Sequence, residues 1–309
     1  MNPLTGIYRA ASGLRNSLFD RGSLRSHRLA RPVVSVGNLS TGGSGKTPFV
    51  IALGQLLKAR NIPFDVLSRG YRRQTRGVLV VDANGSAVDF GDEPLLISRR
   101  LGVPVIVGES RYEAGLLAEE KFDSHLHILD DGFQHRSLAR DCDIVLMTGD
   151  ELNDQLLPSG RLREPLSSLK RADAIVLPAE VPADHEALHG KLVWRLKRQV
   201  ELHDAPPSPV LFCGIARPEQ FFAHIRALGI APAAKIAFRD HHSYQRRDID
   251  RLQAAKNEFG AGGFVTTEKD AVNLGALIAE IQPLALATLS ITLDNANDVV
   301  DTILARIRK

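Results

Sequence analysis

Cysteine is scarce in this sequence. The chain has two, Cys142 and Cys213, far apart in its 309 residues, which excludes a disulfide framework or a four-cysteine zinc site and suits a reducing compartment. No excess of one charge is present either. The 39 basic and 36 acidic residues leave a formal +3, so bulk charge gives no argument for wrapping nucleic acid or coating a membrane, and no nucleic-acid partner is expected. Long hydrophobic runs are missing. The most apolar long window, Leu274 to Leu293, carries Glu280, Gln282 and Pro283 at its centre, where a bilayer penalises them; it reads as a helix followed by a strand. No transmembrane helix is expected. Met1 to Pro32 has no short apolar block ending in a small-residue cleavage site, so it does not read as a secretory signal, and the mature chain is expected to begin near Met1. There is no internal repeat and no low-complexity tract.

With 44% hydrophobic and 24% charged side chains, the chain has the composition of a soluble globular protein. Its length predicts one large domain or two unequal ones. Leu4, Ile7, Tyr8, Ala11, Leu14 and Leu18 have the spacing of one helical face, so an amphipathic helix opens the chain. Arg9, Arg15, Arg21, Arg25, Arg28 and Arg31 make this end basic, against one acid, Asp20. From Pro32 onward, β-rich runs alternate with helical patterns. Strands are predicted at 33–36, 64–68, 78–82, 103–107, 126–129, 144–147 and 174–177, several of them continuous apolar runs of the kind covered on both faces in a mainly parallel sheet. A polar, proline-rich stretch follows, with Pro206, Pro207 and Pro209, and is read as an extended connector. The α/β alternation resumes at 210–213, 218–228, 234–238, 247–259 and 263–267. The expected organisation is therefore a basic amphipathic region over 1–32, a core with a mainly parallel sheet flanked by helices over 33–205, and a smaller α/β domain over 206–309.

The strongest chemical signal is the strand Val33–Val36 running through Gly37-Asn38-Leu39-Ser40-Thr41 into Gly42-Gly43-Ser44-Gly45-Lys46-Thr47. Glycines let successive backbone N–H groups converge on phosphate oxygens, Lys46 reaches the outer phosphates, and the Thr47 hydroxyl binds Mg²⁺. In G-x-x-x-x-G-K-[ST] the first glycine falls on Ser40, so the motif is a variant. A P-loop enzyme also needs an acid at a strand end to hold Mg²⁺; Asp130 or Asp131, after the apolar run His127–Leu129, supplies it. The Asn-Lys-x-Asp segment by which guanine-specific relatives read their base is absent. The nearest string, Thr267-Glu268-Lys269-Asp270, lacks the Asn, which favours ATP over GTP.

The loop together with Asp130-Asp131-Gly132-Phe133-Gln134-His135 resembles the tetraacyldisaccharide 4′-kinases, the lipid A 4′-kinase (LpxK) family. The resemblance spans nearly the whole chain. It includes Val36-Gly37-Asn38, Gly91-Asp92-Glu93-Pro94, Val107-Gly108 with Arg111, the run from Pro158-Ser159-Gly160 through Arg161-Leu162-Arg163-Glu164-Pro165, Asp240-His241-His242, and Thr266-Thr267-Glu268-Lys269-Asp270. It implies transfer of the ATP γ-phosphoryl group to the 4′-hydroxyl of a tetraacylated glucosamine disaccharide 1-phosphate, peripherally, at the cytoplasmic face of a Gram-negative inner membrane.

By this resemblance Asp92 and His241 correspond to the family's base dyad, with His242 one register away. Glu93 joins Thr47, Asp130 and Asp131 as a candidate for Mg²⁺, and Gly42, Gly43, Ser44, Gly45, Lys46 and Thr47 hold the nucleotide. Arg111 and Glu164 are carried over as candidates for the acceptor. Arg69, Arg72 and Arg73 follow a strand, where the open ends of a parallel sheet gather ligands; they hold the acceptor's 1-phosphate, hold the nucleotide phosphates, or form a solvated loop. For the opening helix two readings differ in whether Leu4, Ile7 and Leu14 face lipid or protein. Closure between the two domains is expected to bring His241 toward Asp92. Two rivals remain: a P-loop metallochaperone or regulatory NTPase, against which the distant cysteines argue, and a lipid-binding protein with a vestigial nucleotide loop.

Overall fold

The computed structural model describes residues 3–308, so the expected start near Met1 lies outside the described residues. The chain forms α1 (Pro3–Asp20), β1 (Val33–Asn38), α2 (Lys46–Ala59), β2 (Phe64–Ser68), β3 (Leu79–Val80), α3 (Ala87–Phe90), α4 (Asp92–Leu101), β4 (Val105–Val107), α5 (Arg111–Lys121), β5 (Leu126–Asp130), β6 (Cys142–Leu146), β7 (Ala174–Pro178) and β8 (Leu192–Leu202). It continues through β9 (Val210–Cys213), α6 (Pro218–Ala227), β10 (Ala234–Ala237), α7 (Arg246–Glu258), β11 (Phe264–Thr267), α8 (Glu268–Leu274), β12 (Leu284–Leu293) and α9 (Ala296–Ile307).

All these strands join one sheet in the order β10-β9-β11-β12-β8-β7-β6-β1-β5-β2-β4-β3. It consists of two parallel blocks. The strands from β8 to β4 run parallel, as do β10, β9, β11 and β12, and the blocks meet where β8 pairs antiparallel with β12. Short β3 pairs antiparallel with β4 at the far edge.

The register at the junction explains where a ligand can sit. The first half of β8 pairs with β7, as far as Pro178 opposite Leu196. Its second half, from Leu196 to Leu202, runs past the carboxyl edge of that block and pairs with β12 from Leu293 back to Ala287. β11 ends at Thr267 opposite Ala287, so β12 overshoots the second block in the same way. The carboxyl edges of the two blocks therefore face each other across a two-stranded ribbon, about 20 Å long at roughly 3.4 Å per residue. Open α/β sheets bind ligands beyond the carboxyl ends of their strands, and here two such edges share one space.

The central strands carry near-continuous apolar runs and are buried along their length, as strands covered on both faces must be. Val34 and Val36 of β1 face α2, α4 and α9, while Val33 faces the side covered by α5. Helix α9 returns from the end of the chain to pack Val299, Val300 and Ile303 into the core built by residues 33–205. In the second block Val210 and Phe212 face α7, and Leu211 and Cys213 face α6.

Candidate active site

The turn from β1 into α2 holds the glycine-rich loop. Gly42 and Gly45 adopt φ of 84° and 85°, the left-handed region that a side chain strains. Ser40, which replaces the usual first glycine, is buried and donates its hydroxyl to Glu151 Oε1 at 2.8 Å. Glu151 also receives the backbone N–H and the hydroxyl of Thr148. The serine thus pins the loop to the neighbouring chain segment. Asn38 works from below: its side-chain amide donates to the Ser40 carbonyl at 2.8 Å, and its Oδ1 accepts from Lys46 Nζ at 3.2 Å. Gly37 is required beside it, since a Cβ there would stand 2.5 Å from the Cβ of Phe133.

Asp130 ends β5 and Asp131 begins the following turn with φ 49°. Lys46 Nζ lies 3.4 Å from Asp131, and Arg163 approaches the same carboxylate at 3.2 Å. Burial alone would push Asp131 up, but Lys46 and Arg163 outweigh it and hold the group below the usual carboxylate range. Asp130 lacks such cations in contact. Burial, then the charges of Glu93 and Asp131, push it up to about 7. Ser68 donates to its Oδ2 at 3.1 Å, while Oδ1 is buried without a partner.

On the facing wall, Asp92 starts α4 after Gly91, whose φ of 89° and closeness to the backbone of Gly70 and Tyr71 demand a glycine. His241 Nδ1 lies 2.8 Å from Asp92 Oδ2, and Asn273 of α8 donates to the same oxygen at 3.0 Å. Burial opposes ionisation of Asp92, yet the His241 hydrogen bond and the Lys269 charge overcome it and bring its pKa to about 2. An ionised carboxylate only accepts, so His241 Nδ1 carries the proton. In the neutral imidazole the lone pair is then on Nε2. His241 has φ 55°, one of the non-glycine left-handed residues that gather at functional sites. Its neighbour His242 turns away to Asp248 at 3.0 Å and stacks on Phe238. The register question between the two histidines is thereby answered in favour of His241 as the partner of Asp92.

A cleft of about 710 Å³ joins these walls. Its lining includes Gly42 through Thr47, Arg69, Arg72, Glu93, Asp130, Asp131, Arg163, His241 and Lys269, with Val200 and Leu289 of the ribbon as floor. A second cavity of about 500 Å³ reaches Asp92 and His241 from the other side, past Tyr71 and Arg239. The expected closure of the domains is not needed to join Asp92 to His241: the contact already exists.

Three expected residues stand differently. Arg72 donates one nitrogen to the carbonyls of Asp240 and His241 at 2.8 and 2.7 Å, so it shapes the histidine turn. Arg111 lies buried against the carbonyl of Glu109 at 2.9 Å, outside the cleft lining, and burial followed by the Arg69 charge lowers its pKa to about 10. Glu164 is buried under α1, where Arg171 and Asn16 donate to one oxygen at 2.6 and 2.7 Å.

The sequence reading missed several contributors. Asn38 and Glu151 support the phosphate loop, Arg198 of β8 donates to the Ser44 carbonyl at 2.9 Å, and Arg217 packs on Gly43 while pairing with Asp150 at 3.1 Å. Lys269 stands between the two walls. Its only sequence signal was its place in Thr266–Asp270, at the start of a helix.

Among the described residues, no group of three or more His, Cys, Asp or Glu is placed to hold a metal ion by itself. The residues nonetheless fit Mg²⁺. That ion is usually held by one or two carboxylates, with phosphate oxygens and water completing the shell, and Asp130 Oδ1 is an orphaned buried oxygen in the cleft that also contains Thr47.

Fold and site together define a P-loop nucleotide-binding α/β protein with an Asp–His pair facing the phosphate loop. The model of the tetraacyldisaccharide-1-P 4′-kinase family (LpxK) matches residues 1–308, and the chain belongs to that family. A tetraacyldisaccharide 4′-kinase of Koribacter versatilis is 47% identical over all of this chain and 99% of the relative. One of Geobacter metallireducens is 39% identical over 93% of this chain and 91% of its own. A crystal structure of LpxK from Aquifex aeolicus in complex with ATP is similar with a TM-score of 0.80 and 34% identity, over 99% of this chain and 98% of that one.

Proposed function

We propose that this protein transfers the γ-phosphoryl group of ATP to the 4′-hydroxyl of a tetraacylated glucosamine disaccharide 1-phosphate, the step of lipid A biosynthesis that gives lipid IVA. The observation that carries the reading is one cleft with Lys46 and Asp131 on one wall and His241, hydrogen-bonded to Asp92 behind it, on the other. The Aquifex aeolicus neighbour is complexed with ATP, which supports an adenine nucleotide as donor.

The loop amides from Gly42 to Thr47 and the Lys46 ammonium hold the triphosphate and draw charge from the group in flight. Thr47 and Asp130 would hold Mg²⁺, with Glu93 and Asp131 nearby; the ion supplies neutralisation of the phosphate charge. Asp92 keeps the His241 proton on Nδ1, so Nε2 is the atom that accepts the proton of the acceptor hydroxyl. Arg69 and Arg163, on the cleft wall, orient anionic groups of donor or acceptor. The division at residue 206 is kept as part of this proposal, with α9 belonging to the core against which it packs.

The acceptor is a lipid, and α1 offers the surface for it. Its polar edge is bound to the body through Thr5–Ser159, Tyr8–Arg163 and Asn16–Glu164 hydrogen bonds, while Leu4, Ile7 and Leu14 are 58%, 66% and 62% exposed. Among the described residues no helix is long and apolar enough to cross a membrane. We therefore place the enzyme peripherally on the cytoplasmic face of the inner membrane, with α1 in the headgroup layer and each nearby arginine contributing about 1 kcal/mol on anionic lipid. Incubation with labelled ATP and the monophosphorylated acylated disaccharide tests the activity: a bisphosphorylated lipid is expected, and ATP hydrolysis without it would overturn the reading. Co-sedimentation with anionic vesicles tests the surface. The triple change Leu4→Ser, Ile7→Ser and Leu14→Ser should weaken binding at least tenfold, since burying one such side chain is worth about 1.5–3 kcal/mol.

A further inference from the structure

Lys269 is placed where the Asp–His pair meets the phosphate cleft. Its Nζ lies 3.2 Å from His241 Nε2, 3.4 Å from Glu93 Oε1, 3.5 Å from Asp240 Oδ1 and 3.8 Å from Asp92 Oδ2. Burial works against its charge, but Glu93, Asp92 and Asp240 outweigh it and raise the pKa above the ordinary lysine value. An ammonium has three donors and no acceptor. Its contact with Nε2 therefore occupies the lone pair that must take the acceptor's proton. As it stands the base is correctly tautomerised and covered.

We propose that Lys269 is a two-position ammonium, covering His241 Nε2 while the cleft is free of nucleotide and turning onto the terminal phosphate of a bound nucleoside triphosphate, which uncovers the base. The inference rests on the assignment of His241 as base. A lysine ammonium is a point charge on a flexible stem, and the anion arriving in the cleft that Lys269 lines carries more charge than a neutral imidazole. In the step that follows, the O–H bond of the acceptor hydroxyl breaks and its proton goes to Nε2. The new O–P bond forms as the bond to the β-phosphate oxygen breaks, and its electron pair leaves with the diphosphate. Lys269, now on the transferring group, stabilises that charge. The base becomes available only when a phosphoryl donor is in place.

Nuclear magnetic resonance of protein carrying ¹⁵N-histidine tests this in the unmodified chain, with the His241 signals assigned by their loss in His241→Gln. Adding a non-hydrolysable ATP analogue with Mg²⁺ should move the Nε2 resonance as the ammonium leaves. In Lys269→Met the resonance should already stand away from its wild-type position and respond less to the analogue, and kcat should fall about 10²-fold with a smaller change in KM for ATP. Lys269→Arg, which keeps the charge beside three carboxylates, should recover part of that loss. An Nε2 resonance unmoved by the analogue, or Lys269→Met turning over at the wild-type rate, overturns the proposal. His241→Gln separates it from the reading beneath it. Full turnover in that variant overturns the base assignment and this inference together, whereas a crippled His241→Gln with an unmoved resonance overturns this inference alone.

Discussion

The two walls of the cleft are built on opposite plans. Around Asp92 the contacts are saturated: His241, Asn273 and Lys269 surround one carboxylate, which stays ionised although it is buried. Around the phosphate loop they are left open. Ser44 Oγ and Asp130 Oδ1 are buried without partners, and Asp130 is pushed toward its neutral form. Unpaired buried polar atoms are costly in a finished interior, so the difference shows that the Asp92 carboxylate is complete in the protein alone, whereas the loop is completed by what it binds. The Asp–His wall fixes its carboxylate and the orientation of its histidine before anything binds; the loop wall is preorganised for an anion and its cation.

Removing the ammonium from the open wall should have the largest effect. Lys46→Ala removes the ammonium that works with the loop amides to draw charge from the transferring group, and kcat should fall by about 10³ or more, with nucleotide affinity falling as well. Steady-state rates and nucleotide titration check both. On the saturated wall, Asp92→Asn keeps the shape but loses the negative charge that holds the His241 proton on Nδ1 and turns one accepting oxygen into a donor. A loss of about 10²–10⁴ in kcat is expected, with ATP affinity nearly unchanged. Equal loss of turnover and ATP binding in Asp92→Asn would erase the contrast between the walls.

A smaller effect is expected from below the loop. Ser40→Ala leaves Glu151 without one of its three donors. Losing a donor to a buried charged acceptor costs about 1–3 kcal/mol. Lower thermal stability, with ATP affinity reduced more than kcat, should result; a stability unchanged by Ser40→Ala would mean that the serine is not the pin described above.

The two walls were also unequally legible in the amino-acid sequence. The loop wall is local: strand, glycines, Lys46, Thr47 and the Asp130–Asp131 pair each lie within a short window whose chemistry has a spacing. The other wall is assembled from Asp92, His241, Lys269 and Asn273, over nearly two hundred positions, and only Asp92 and His241 could be paired in advance, through resemblance. Of the ribbon that brings the blocks together, β12 was anticipated as the strand closing the window Leu274 to Leu293, whereas β8 was missed for a physical reason. Strand β8 opens on the apolar run Leu192-Val193-Trp194, alternates Trp194 and Leu196 with Arg195 and Lys197, then carries Arg198 at a position that continues the apolar face. That arginine points to the Ser44 carbonyl instead of a core, so the period-2 signal breaks where the strand leaves the first block to line the cleft. Helix α9, which follows the ribbon and packs back onto the core, was not anticipated.

Acid–base behaviour is the finest test of the comparison, because one carboxylate from each wall, Asp92 and Asp130, should respond to pH with opposite sign. Asp92 has its pKa lowered from 3.8 to about 2. Its ionised form is favoured in the folded protein, so it contributes about 2 kcal/mol above pH 3.8, at 1.36 kcal/mol per unit, and loses it as pH falls toward 2. Asp130 has its pKa raised to about 7. The folded state then binds a proton that the unfolded chain has released, so its contribution is full below pH 3.8 and fades as pH rises through 7. Thermal unfolding of the nucleotide-free protein across pH should therefore lose a declining limb between about 4 and 7 in Asp130→Asn, and a rising limb between about 2 and 4 in Asp92→Asn. If Asp130→Asn kept the wild-type slope in the upper window, the open wall would not be the strained one, and the contrast would have to be rebuilt on contacts other than this carboxylate.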